Sequence, residues 1–157
     1  MSDAAHRGTT TGAARKTHVQ KAALVVGVVF LLVGVLGFVP GITTGYDSLS
    51  FASHHSDARL LGLFQVSVLH NIVHLLFGVA GLLLARTTAG ARRYLIVGGV
   101  VYLVLFVYGL LVDDMSSANF IPVNTEDDVL HLVLGLGMIA LGAVLTRRST
   151  SGSAATV

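Results

Sequence analysis

Four long apolar stretches without a charged residue alternate with short polar segments along the chain. They run from Lys21 to Asp47, from Arg59 to Arg86, from Arg93 to Asp113 and from Asp128 to Arg147. A bilayer core of about 30 Å needs roughly 20 apolar residues in a helix. Because lipid offers the backbone no hydrogen-bond partner, each stretch is expected to be helical. The pattern therefore predicts four transmembrane helices, at about 22–39, 60–85, 94–112 and 129–146.

The composition supports a membrane protein and excludes several other classes. Hydrophobic residues make up 54% of the 157 residues and charged residues only 11%, against about 25% charged in a typical soluble domain. The chain has no cysteine, so disulfides, thiolate metal sites and iron–sulfur clusters are excluded. We therefore predict an all-α integral membrane bundle over residues 21–147, between disordered cytoplasmic tails at 1–20 and 148–157.

The basic residues predict the orientation of the helices. Nine of the ten Lys and Arg residues fall on one side if the four helices alternate in direction, and only Arg59 falls on the other. Basic residues concentrate on the cytoplasmic side, so both termini are expected in the cytoplasm. The basic clusters are expected to meet anionic lipid headgroups, and no nucleic-acid partner is predicted.

Acidic residues gather on the predicted outer side, and we interpret them as a solvated rim. The largest group comprises Asp113, Asp114, Glu126, Asp127 and Asp128.

Several segments in the outer loops and the second apolar stretch resemble a known family. They read FVPGITT (38–44), LGLFQVS (61–67), LHNIVHLLFG (69–78) and ANFIPVN (118–124). This combination is similar to an uncharacterised family of small four-helix membrane proteins, common in actinobacteria and known only by a domain-of-unknown-function label. The resemblance implies four spans in a bacterial inner membrane, and it implies no activity.

The second and fourth apolar stretches resemble each other, which predicts a duplication of two helical hairpins. In one register Asn71, His74 and Gly78 match Asp128, His131 and Gly135. In another register His70 matches His131 directly, and the two registers compete. Parallel repeats of this kind occur in some transporters.

One face of the second predicted helix carries polar residues in its outer half and small residues in its inner half. The helical spacing of 3.6 residues per turn places Ser67, His70, Asn71 and His74 on one stripe. Small residues allow helices to approach closely, and polar side chains bond between them. The residues expected at these helix contacts are Gly78 and Gly81 on the same stripe, Gly135 and Gly142 beside His131, and Gly27 and Gly34 in the first helix.

These features leave three functional hypotheses. The leading one is a structural or accessory component that forms a homo-oligomer or joins a membrane-protein partner, with the histidines bonding only between helices. The second is a membrane redox protein in which His70, His74 and His131 bind a transition metal or haem, since neutral imidazole is a common ligand. The third is a transporter-like bundle. No nucleotide-binding, hydrolase or metalloprotease motif is present, so an enzyme is not the favoured class.

Overall fold

Four helices and a small sheet form the fold. The computed structural model describes residues 15–52, 56–113, 116, 118–121 and 123–151, with side chains described up to Thr146. The helices are α1 (His18–Leu36), α2 (Val68–Leu84), α3 (Thr88–Leu111) and α4 (Thr125–Ser151). The strands are β1 (Thr43–Thr44), β2 (Arg59–Leu60) and β3 (Phe64–Gln65). The chain is thus mostly helical, as predicted, with a three-stranded antiparallel sheet in addition.

Three of the helices are long and apolar enough to cross a membrane. These are His18–Leu36, Thr88–Leu111 and Thr125–Thr146, and α2 is a shorter apolar helix of 17 residues. The expected start of the second helix at residue 60 was wrong. Leu60 to Leu63 continue the apolar run, but Gly62 has a φ of +71° and closes a turn between β2 and β3. Ser67 then caps α2 by accepting a hydrogen bond from the His70 N–H at 3.1 Å.

The tail boundaries also differ from those predicted. Helix α1 already begins at His18, because Thr17 and Gln20 form a capping box there. Helix α4 continues to Ser151. Of the predicted tails, residues 1–14 and 152–157 lie outside the described residues.

Helices α1 and α2 form a tight antiparallel hairpin held by glycines. A Cβ atom on Gly27 would lie 3.1 Å from the Gly78 carbonyl oxygen, and one on Gly34 would lie 2.9 Å from the Asn71 carbonyl oxygen. At the other end, the Gln20 amide donates to the Ala85 and Arg86 carbonyls, both at 3.0 Å. The two helices therefore lie side by side over nearly their whole length.

Helices α3 and α4 form a second antiparallel hairpin with the same kind of contact. A Cβ atom on Gly135 would lie 3.0 Å from the Gly99 carbonyl oxygen, and one on Gly142 would lie 3.2 Å from the Leu95 Cβ atom. Gly81 lies where the hairpins meet, with the Tyr94 hydroxyl 2.7 Å from the position of a Cβ atom. All six glycines expected at helix contacts are buried against a neighbouring helix.

The two hairpins repeat their contacts in matching order. In the first, Gly27 meets Gly78 and Gly37 meets Asn71; in the second, Gly99 meets Gly135 and Gly109 meets Asp128. Midway between the glycines, each hairpin places an aromatic ring against a histidine. Phe30 lies 5.5 Å from His74 with an interplanar angle of 55°, and Tyr102 lies 5.4 Å from His131 with an angle of 52°.

The hairpins join through their aromatic rings. Phe30 and Tyr102 stack on each other at 5.3 Å and 22°, and Phe77 contacts both edge-on. The buried core continues from these rings toward the termini through Ala23, Leu95 and Met138. A second, smaller core under the sheet contains Ala58, Leu60 and Val66.

Candidate functional site

A cavity of about 260 Å³ lies between α2, α3 and α4, at the end of the bundle that carries the sheet. Its walls include His70 and His74 from α2, Tyr102 from α3 and His131 from α4. Phe120 and Ile121, from the segment between α3 and α4, also line it. The cavity therefore collects all three histidines that the sequence singled out, and its other walls are mostly apolar.

The polar residues of α2 divide between two places. His70 and His74 lie one turn apart and line the cavity together with Ser67. Ser67 is the cap of the helix rather than part of its interior stripe, and its hydroxyl is occupied by the His70 N–H. Asn71 is not part of the cavity wall, because it faces Gly37 of α1, where it is fully buried. The predicted polar stripe thus serves helix packing at Asn71 and the cavity at the histidines.

The rings of His70 and His74 stack, with centroids 4.4 Å apart and an interplanar angle of 14°. The His74 Nδ1 atom lies 3.0 Å from the His70 carbonyl oxygen. Since a carbonyl oxygen only accepts hydrogen bonds, the proton of neutral His74 is on Nδ1. Its Nε2 atom then carries the lone pair.

His70 and His131 differ from His74 in how their ring nitrogens are used. Each has a buried Nδ1 atom that finds no hydrogen-bond partner among the residues the structure describes. A buried N–H group left unpaired costs free energy. The proton of the neutral ring is therefore favoured on Nε2, the other nitrogen.

The geometry gives no support to a three-histidine metal centre. In the parts of the chain that the structure describes, no group of three or more His, Asp or Glu side chains is placed to hold a metal ion. A metal lies in the plane of each imidazole that binds it, about 2 Å from the nitrogen. The planes of His70 and His74 are nearly parallel and stacked, so these two lone pairs do not meet at one point.

The cavity lies beside the side of the bundle where α2 faces α3. Helices α2 and α3 approach each other less closely than the two helices of either hairpin do. Three residues of the cavity wall are exposed, namely Val73 (49%), Val101 (44%) and Phe120 (56%). The cavity therefore opens to the surface where these apolar residues lie.

Asp127 has a structural role that the sequence analysis missed. It was expected in a solvated acidic rim, but it is 2% exposed. Its Oδ2 atom accepts hydrogen bonds from the backbone N–H of Gln65 at 3.0 Å and of Asn124 at 3.2 Å. Asn124 in turn caps α4 by accepting from the Asp127 N–H at 2.9 Å. The carboxylate thus ties β3 to the start of α4, because it satisfies backbone groups from both.

Three helices long and apolar enough to cross a membrane, in a mostly helical chain, indicate a helical membrane protein. The chain belongs to the family described as a domain of unknown function (DUF4383), whose model matches residues 20–144. The predicted membership in an uncharacterised family, known only as a domain of unknown function, is thereby confirmed. Comparisons with curated proteins and with solved structures found no significant match.

Proposed function

We propose that this protein spans the bacterial plasma membrane four times and binds a small, largely apolar molecule in the cavity between α2, α3 and α4. Both termini lie in the cytoplasm, so the sheet and the cavity lie toward the outer face. The observation that carries the proposal is the cavity itself: mostly apolar walls around three buried histidines.

The contacts of α2 with α1 support a fourth span. Seventeen residues rise about 26 Å in a helix, a few ångströms less than the hydrocarbon core. However, α2 accompanies α1 from the Gln20–Ala85 hydrogen bond to the contact between Gly37 and Asn71. A bilayer adapts to a short helix by thinning locally. If α1 crosses the membrane, α2 crosses with it.

The repeated contacts support the predicted duplication and favour one of its two registers. Matching Asn71, His74 and Gly78 to Asp128, His131 and Gly135 superposes the glycine contacts and the aromatic–histidine contacts of the two hairpins. Matching His70 to His131 does not. Both hairpins run in the same direction, so an axis along the membrane normal would relate them, as in parallel repeats.

The cavity favours ligand binding over a purely structural role for the histidines. Histidines that serve only to join helices would be expected to bond to side chains of other helices. Instead, the hydrogen bond that the His74 ring makes among the described residues goes to the backbone of its own helix. The cavity is slightly smaller than the roughly 300–1,000 Å³ typical of sites for drug-sized ligands. It therefore suits the head of an amphiphile or a single small ring.

A fluorescence titration tests the proposal, because the chain contains no tryptophan. The Phe120→Trp variant places one fluorophore in the cavity wall. In the matched control, Phe51→Trp, the fluorophore is exposed on the same end of the molecule and outside the cavity wall. Both variants are titrated in lipid nanodiscs with 4-nonylphenol. We expect a saturable change in emission at position 120 and only a gradual partition effect at position 51. Equal, non-saturating responses at both positions would contradict the proposal.

A further inference from the structure

We propose that the molecule bound in this cavity carries a hydroxyl group on an apolar body, so that it both donates and accepts hydrogen bonds at the histidines. This inference rests on the proposed binding function and assigns the chemical class of the ligand. It follows from the way the three rings divide their nitrogens.

His74 provides the acceptor. Its Nδ1–H is committed to the His70 carbonyl oxygen at 3.0 Å. The neutral ring then has its lone pair on Nε2. A hydrogen bond to that atom requires a donor, and neither a hydrocarbon, an ether nor a ketone has one.

His70 and His131 provide the donors. The Nδ1 atoms of both rings are buried and unpaired within the described part of the chain. Protonation at Nε2 avoids burying an N–H group without a partner, so Nε2–H is the group left for a ligand. The three histidine rings then offer two donors and one acceptor, and a hydroxyl group is the smallest neutral group that matches both kinds.

In the second hairpin, the position that corresponds to His70 holds a side chain that is hydrogen-bonded. In the register that superposes the repeated contacts, the position of His70 in α2 corresponds to Asp127 in α4. Asp127 accepts hydrogen bonds from the Gln65 and Asn124 backbones. The Asp127 side chain is therefore hydrogen-bonded in the second hairpin. In the first hairpin the His70 Nδ1 atom is unpaired within the described residues, and this ring lines the cavity.

The bilayer is the source that the geometry favours for such a molecule. Val73 of α2, Val101 of α3 and Phe120 are apolar, line the cavity and are exposed. Apolar residues exposed on a helix bundle of this composition face lipid hydrocarbon. A lipid-soluble alcohol or phenol can therefore move sideways from the outer leaflet, with its hydroxyl group leading.

The test compares three probes on the Phe120→Trp reporter in nanodiscs. 4-Nonylphenol donates and accepts, 4-nonylanisole only accepts, and nonylbenzene does neither. After correction for partitioning into lipid, we expect the phenol to bind about tenfold or more tightly than either of the others, because each of them strands a buried nitrogen. One control ligand is larger than the phenol and the other smaller, so a size effect alone does not produce this order.

A variant assigns the preference to His74. His74→Phe keeps a ring beside His70 and Phe30 and removes the acceptor, so the preference for the phenol over nonylanisole should fall to within about twofold. His18→Phe, at an exposed position at the opposite end of the bundle, should leave the preference unchanged. A thermal melt establishes that each variant is folded, and the three-probe comparison on the unsubstituted histidines stands without them.

The outcomes separate the two proposals. Equal saturable binding of all three probes would overturn the hydroxyl inference and leave the binding function intact. Absence of saturable binding for every probe would overturn both. A phenol preference that survives in His74→Phe would overturn the role of this ring.

Discussion

Gly78→Ala is expected to force α1 and α2 apart. A Cβ atom at Gly78 would lie 2.8 Å from both the Gly27 carbonyl oxygen and the Leu31 amide nitrogen, and 2.6 Å from the Leu31 Cγ atom. Two of these three atoms belong to the backbone of α1, which cannot rotate away as a side chain can. Gly137 in α4 is the matched control, because a Cβ atom there would have nothing within 4 Å.

The comparison isolates the packing cost. Alanine is favoured over glycine inside a helix by about 1 kcal/mol, and both variants gain this amount. Overfilling a well-packed contact typically costs about 1–3 kcal/mol. We therefore expect Gly78→Ala to be less stable than Gly137→Ala by about 1–3 kcal/mol. At roughly 2–4 °C per kcal/mol for a chain of this size, the melting temperatures should differ by about 2–12 °C.

Thermal unfolding in a mild detergent, followed by circular dichroism, measures the difference. Gly137→Ala should melt at or above the wild-type temperature and Gly78→Ala at or below it, with the difference between the two variants as the decisive quantity. If the two variants have the same melting temperature within error, the close packing of α1 against α2 is refuted. A melting temperature of Gly137→Ala below that of Gly78→Ala would refute it as well.

Three further predictions concern topology, the Asp127 contact and His74. A reporter fused after Val157 should give a cytoplasmic signal, and one inserted at Gly62 should give an external signal. External signals from both would refute the topology of four spans with cytoplasmic termini. Asp127→Ala leaves two backbone N–H groups without their acceptor and should cost about 1–3 kcal/mol for each group that water does not reach. Exposed Glu126→Ala should stay within about 0.5 kcal/mol, and equal denaturation midpoints would show that the contact is not stabilising. His74→Gln should destabilise the fold less than His74→Leu, because glutamine can still donate to the His70 carbonyl, and the reverse order in thermal melts would contradict that contact.

Charge-free windows and glycine spacing predicted the helices and their contacts well, for a physical reason. Charged residues are absent from a helix that is surrounded by lipid hydrocarbon, and small residues mark the places where helix backbones touch. The spacing of Gly27 and Gly34 in α1, and of Gly78 and Gly81 in α2, is therefore directly readable as a contact surface.

The start of α2 could not be predicted from hydropathy or glycine spacing. Leu60, Leu61 and Leu63 are as apolar as a transmembrane helix, so hydropathy continues through the β2–β3 turn. The positive φ at Gly62 and the cap at Ser67 decide the boundary instead. Both Gly and Ser also occur inside membrane helices, which is why local chemistry alone was ambiguous.

The burial of Asp127 and the existence of the cavity depend on tertiary structure. Nothing next to Asp127 in the sequence indicates that β3, far away along the chain, presents the Gln65 N–H to it. Likewise, periodicity placed His70 and His74 on one face but did not show which neighbour that face meets. The space beside them lies where α2 and α3 do not approach each other closely.

Photoaffinity labelling in native membranes tests the central claim most directly. A 4-alkylphenol that carries a diazirine near its ring is applied to membranes containing the full chain, and the labelled peptides are mapped by mass spectrometry. We expect labelling at the cavity wall, in the first two turns of α2 and at Phe120 and Ile121, and we expect excess 4-nonylphenol to suppress this labelling. Labelling spread evenly over the lipid-facing sides of all four helices, without competition, would contradict it.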